Sequence, residues 1–132
     1  MSQANVELVR STFDSLLRGD DEDATRGFRE DAVWHNTSVF PDPSICVGPQ
    51  AILNFWATLT ETFQESQTDV EQVVEGGDAV VLSLHSVGRG NASGVPVDVR
   101  WAAVFRVIDG KISRVDVHGN RANALKAAGL AE

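Results

Sequence analysis

The stretch VPVDVRWAAVFRVIDGKISRVDVHGNRANALKAAGL, residues 95–130, decides the fold. It contains two long β-type segments joined at Asp109-Gly110, followed by an Ala/Leu-rich helical pattern. Asp-Gly between two apolar β-type runs signals a tight hairpin, because both central residues of such a turn take positive φ and these two types tolerate it best. Val99, Trp101 and Phe105 stand on alternate positions of the first strand, so one face of the hairpin is expected to cover something bulky.

Working outward, Val6, Val9, Phe13, Leu16 and Leu17 recur at helical spacing, giving a first helix over about 5–18 that stops at Gly19. Asp20 to Asp23 form an acidic run that suits the cap and first turn of a second helix ending near Phe28. A short strand is expected over 31–36, and a loop carrying Pro41 and Pro43 over 37–47, placed to act as a flap or rim. Gly48-Pro49 opens a longer helix with an apolar stripe of Ala51, Ile52, Phe55, Trp56, Leu59 and Phe63. Strands over 68–75 and 78–88 flank Gly76-Gly77, and a terminal helix covers about 120–128. Hairpins with segregated helices make an α+β domain, with a four-stranded twisted sheet wrapped around the long helix as a cone. The open end of such a cone is a natural ligand site.

The chain of 132 residues is expected to be one domain, 1–132, large enough for a core and a modest cavity. With 11 Lys and Arg against 19 Asp and Glu, its formal charge of −8 disfavours nucleic acid and anionic membrane surfaces. Cys46 is the only cysteine, which rules out an internal disulfide and fits a reducing compartment. The N-terminus lacks the basic-then-apolar pattern of a secretion signal, so a cytoplasmic location is expected.

Three stretches carry a resemblance to a known family: Arg18-Gly19-Asp20 followed by Asp31-Ala32-Val33; Gly48-Pro49-Gln50-Ala51-Ile52-Leu53-Asn54-Phe55-Trp56; and Phe105 to Ile112 with the tail Ala124 to Leu130. In order and spacing the chain resembles the nuclear transport factor 2-like superfamily, on its SnoaL-like and ketosteroid-isomerase-like branch. The resemblance implies a strongly curved, mixed or antiparallel sheet around a long helix, the cystatin-like α+β barrel. It also implies a homodimer through the outer sheet face. The superfamily holds isomerases, cyclases, hydrolases and domains without chemistry, so the fold does not name an activity. The isomerases' tyrosine and two aspartates fall here at Thr12, Asn36 and Ala103, and the chain has no tyrosine. Steroid isomerisation by that route is therefore not expected. The polyketide cyclase-like members use an aspartate on the last strand, where this chain offers Asp116 and His118.

Candidate site residues follow from strand phase. Val81, Ser83, His85 and Val87 share one face of their strand, which the spacing turns toward the pocket. His85 then becomes the candidate acid/base, since a neutral imidazole works near neutral pH. Val115 and Val117 face the cavity and Asp116 away from it, unless a one-residue slip or bulge reverses the strand and makes Asp116 a base. The bland alternative pairs Asp116 with Arg100 or Arg114. Asn36 shares a face with Trp34 and could orient a ligand carbonyl or a water. Phe13, Trp34, Trp56, Trp101 and Phe105, with Ala103 and Val117, are expected to form the pocket wall or the core continuous with it.

No metal is expected, because His35, His85 and His118 lie on separate strands without ligand spacing. Cys46 reads as a small apolar residue. Three functions stay open: cofactor-free proton-transfer chemistry on a small apolar substrate, non-catalytic binding of such a molecule, or an interaction module whose cone is filled.

Overall fold

The computed structural model describes residues 2–36 and 44–130. Its elements are α1 (Ser2–Arg18), α2 (Asp21–Gly27), β1 (Phe28–Asn36), β2 (Ser44–Val47), α3 (Pro49–Thr62), β3 (Phe63–Gly76), β4 (Ala79–Gly90), β5 (Pro96–Ile108), β6 (Lys111–His118) and α4 (Arg121–Ala127). The strands form one sheet in the order β2-β1-β6-β5-β4-β3. Every neighbouring pair is antiparallel except β1 with β6. The α+β class, the curved mixed sheet and the helix order are as the sequence led us to expect.

The Asp109-Gly110 turn has φ of 52° and 76°, the left-handed pair that a two-residue hairpin needs, and it sets Ile108 opposite Lys111. The other tight turn lies one residue later than expected. Gly77 takes φ 58° and Gly76 still pairs with Ala79. Asp20 caps α2 by accepting from the Asp23 N–H at 3.2 Å, so the acidic run is a helix start.

The sheet has six strands rather than four. β1 begins three residues before the expected strand over 31–36, and β2 lies within the loop expected over 37–47. Ser44–Val47 pairs antiparallel with Val33–Asn36, which satisfies backbone groups that an open β1 edge would leave unpaired. Of the flap expected over 37–47, residues 44–47 form β2 and residues 37–43 lie outside the described residues.

The inner face of the sheet packs on α1 and α3. Val9, Phe13, Ile52 and Trp56 meet Trp34, Leu82, Leu84, Trp101, Phe105 and Val115 in one buried cluster. On the outer face, Ala79, Val81, Ala102 and Val104 are covered by α4 through Ala124, with Leu125, Ala128 and Leu130 against them. The sheet is thus buried on both faces at that end, which is why Ala79-Val80-Val81-Leu82 shows no alternation. No described helix is long and apolar enough to cross a membrane.

Candidate functional site

The deep part of the cone is filled by aromatic rings. Phe13 stands edge-to-face with Trp56, Trp101 and Phe105, with centroids 5.7, 6.2 and 6.1 Å apart. Trp34 meets Trp56 at 5.5 Å and Phe105 at 6.1 Å, again edge-on. T-shaped contacts place the positive rim of one ring on the negative face of the next, so the five rings form a continuous packed unit. Phe13, Trp34, Ala103, Phe105 and Val117 are at most 1% exposed. Of the seven residues expected at the pocket wall, these five belong to the core.

Trp56 and Trp101 are the members of this unit that reach open space. A cavity of about 560 Å³ lies between α1, α3 and strands β3 to β5, with both indoles in its wall. Leu17, Leu59, Phe63, Val87, Val97 and Val99 supply the rest of its apolar lining. The volume falls within the usual range for sites that hold small organic molecules.

The cavity's charged lining residues among those described are Asp14 and Arg18, which form an ion pair with each other one helical turn apart. The second Arg18 nitrogen lies 3.3 Å from Ser15 Oγ and 3.6 Å from Asp20 Oδ2. Deeper in the wall, the Trp101 indole N–H donates to Ser86 Oγ at 2.9 Å, and Ser86 Oγ lies 2.8 Å from Thr68 Oγ1. Ser86 and Thr68 face the cavity from adjacent strands and were not among the residues singled out in the sequence. Their direction is set by the phase of β4, which the sequence does not mark. Leu82 and Leu84 point into the core, so Ser86 does too.

That phase also corrects the placement of His85. It stands opposite Arg100 on the outer face of the sheet, not toward the cavity. Its Nε2 lies 2.6 Å from Asp98 Oδ1, and its Nδ1 lies 4.0 Å from Glu71. Glu71 in turn accepts from Arg100 at 3.1 Å and holds that guanidinium's pKa above its ordinary value. Asp116 is also on the outer face, as the unslipped register required. It accepts from Arg114 at 2.9 Å and lies 3.3 Å from His35 Nδ1. Each of the two expected acid/base groups therefore sits in a surface charge cluster across the sheet from the cavity.

Asn36 is fully buried, and its amide oxygen accepts the Trp34 indole N–H at 2.9 Å. It serves the core rather than the cavity wall. Thr12, at the isomerases' tyrosine position, is 3% exposed and lies beside Gly27, where a Cβ would come within 2.0 Å of Thr12 Oγ1. It borders a smaller cleft of about 320 Å³ between α1 and α2. Cys46 packs against the core cluster from β2, and burial raises its thiol pKa, which opposes a thiolate role.

We expect His85→Ala and Asp116→Ala to leave any affinity of the cavity unchanged. Each should alter stability by no more than about 1 kcal/mol, because both pairs are solvent-screened. Parallel titration and thermal melts of the two variants check this, and a tenfold loss of affinity in either would return that residue to the site.

No curated protein matches this sequence. Among solved structures, a SnoaL-like polyketide cyclase assigned from Jannaschia sp. CCS1 is 23% identical and superposes with a TM-score of 0.80, over 99% of this chain and 92% of that one. An NTF2-like protein from Burkholderia xenovorans LB400 is 18% identical, with a TM-score of 0.79 over 100% and 98% of the two chains. TerC, co-crystallised with polyporic acid, is 17% identical with a TM-score of 0.75 over 96% and 97%. At these identities the likeness establishes the fold. The family model for the SnoaL-like domain matches residues 9–115, running from the middle of α1 to the inward-facing Val115 of β6. With that match spanning the helices and strands that build the cone, the chain belongs to the SnoaL-like domain family.

Proposed function

We propose that this SnoaL-like domain binds a small, apolar, ring-bearing molecule at the mouth of its cone. The observation that carries the reading is the cavity of about 560 Å³, whose wall joins Trp56 and Trp101 to Leu59, Val97 and Val99. Burial of apolar ligand surface there is worth about 25 cal/mol per Å² before ordering costs are subtracted. TerC's crystallisation with polyporic acid supports the capacity of this fold to hold an organic ligand. Binding is favoured over proton-transfer catalysis because the two acid/base candidates face the other side of the sheet.

The test is a titration of ¹⁵N-labelled protein with 1-tetralone, a neutral bicyclic probe, following the indole N–H resonances of the three tryptophans. Those of Trp56 and Trp101 should move saturably, and that of Trp34, sealed in the core, should move least. Resonances that stay fixed to millimolar probe would refute the reading.

The same reading includes pairing of two copies through the outer sheet face. Ile45 and Val47 are 61% and 63% exposed and share that face with His35 and Val33 across the β2–β1 ladder. Sedimentation at micromolar concentration should give a dimer that Val47→Glu dissociates, whereas a monomeric parent protein would remove this part of the proposal.

A further inference from the structure

The two hydroxyls in the cavity wall have a hydrogen-bond ledger that does not close. An indole can only donate, so in the Trp101–Ser86 contact of 2.9 Å Ser86 Oγ is the acceptor. The Ser86–Thr68 contact of 2.8 Å uses one hydroxyl hydrogen, whichever residue supplies it. Two hydroxyls own two hydrogens, and the Trp101 bond consumes neither. One O–H is therefore left over. If Ser86 donates to Thr68, the spare hydrogen is on Thr68, and in the reverse case it is on Ser86. Neither hydroxyl makes another hydrogen bond among the described residues, and both line the cavity. An unmatched donor in a half-buried apolar wall is tolerated less well than an unmatched lone pair.

Charge in the cavity points the same way. Asp14 and Arg18 neutralise each other, and Arg18 is further held by Ser15 and Asp20. An acid entering the cavity would meet an Arg18 already neutralised by Asp14 and Asp20, and an amine would meet an Asp14 already neutralised by Arg18.

Resting on the binding reading above, we propose that the Ser86–Thr68 pair, anchored by Trp101, is the specificity element of the cavity. It selects neutral ring-bearing carbonyl compounds over hydrocarbons and carboxylic acids of the same size. The spare O–H donates to the ligand carbonyl oxygen while the ring lies among Trp56, Leu59 and Val99. The ledger makes a sharp demand on variants. Thr68→Val leaves Ser86 with its own hydrogen free and so keeps the donor. Thr68→Val with Ser86→Val removes both hydroxyls, and the added methyl groups cover the Trp101 N–H.

The experiment titrates 1-tetralone, tetralin and tetralin-1-carboxylate into the protein and both variants, read by the indole resonances. The carbonyl infrared band of bound 1-tetralone is recorded in parallel. The ketone should bind about tenfold tighter than tetralin, as one net hydrogen bond allows, and the carboxylate weakest. The carbonyl band should lie below its position in a hydrocarbon solvent. Thr68→Val should weaken the preference and the band shift without abolishing them, because the remaining O–H loses the neighbour that polarises it, and the double variant should lose both while still binding tetralin. Equal affinities for ketone and hydrocarbon, tightest binding of the acid, or a preference that survives the double variant would overturn the inference and leave the binding reading standing. Failure of both neutral probes to bind would overturn the binding reading itself. Tetralin binding by the double variant also shows that it is folded.

Discussion

Trp34→Ala is expected to cost about 3–5 kcal/mol of folding stability, which for a domain of this size lowers the melting temperature by roughly 10–20 °C. Trp34 is fully buried on the inner face of β1, edge-on to Trp56 and Phe105. Truncation to Ala removes the whole indole from a site enclosed on every side, so the loss combines transfer free energy with a residual cavity. It also strips Asn36 of the indole N–H that its buried amide oxygen accepts. The measurement is equilibrium denaturation by urea with thermal melts alongside. A cost below about 1 kcal/mol would mean that Trp34 borders open space after all, as one reading of the sequence held, because a cavity wall can shed a ring without leaving a void.

That contrast shows what was legible in the chain. The Asp109-Gly110 hairpin could be read because its residue types are dictated by left-handed backbone, a local constraint. The helices could be read from their apolar stripes, and the inner face of β5 from the alternation of Trp101, Ala103 and Phe105. The phase of β4 could not. Its first four residues are all buried because α4 covers the outer face there, so alternation, the only local marker of direction, is missing where it was needed. Turning the face of Val81, Ser83, His85 and Val87 toward the pocket by spacing alone inverts the strand, which brings His85 inward and hides Ser86. β2 was illegible for a different reason. A four-residue edge strand next to two prolines has no period to detect, and its pairing is set by the β1 edge that it covers. The five aromatics grouped from the sequence touch one another edge-on in the structure. Which of them seal the core and which border space depends on how far α3 reaches along the sheet, and this is a tertiary quantity.

Val99→Trp should abolish binding at the cone mouth, lowering affinity for a neutral bicyclic probe by about a hundredfold or more, equivalent to roughly 3 kcal/mol. Val99 lies on the inner face of β5 opposite Ser86, borders the cavity and packs only partly against the core. An indole there has open space to enter, so it fills the ligand's volume instead of wedging into packed side chains. Strands accept aromatic side chains well, and no existing hydrogen bond involves the Val99 side chain. The variant should therefore fold with stability within about 1 kcal/mol of the parent, in contrast to the overpacking penalty that an equal enlargement of Ala103, fully buried in the core, would incur. Affinity and melting temperature measured on the same preparation separate the alternatives. Lost binding with a retained melt places the ligand in this cavity. Retained binding would move the ligand elsewhere on the molecule, and with it the role assigned to Trp56 and Trp101. A melt lowered by many degrees would show that the space beside Val99 is smaller than the cavity of about 560 Å³ implies, and that the cone is closed to ligands at its mouth as well as at its base.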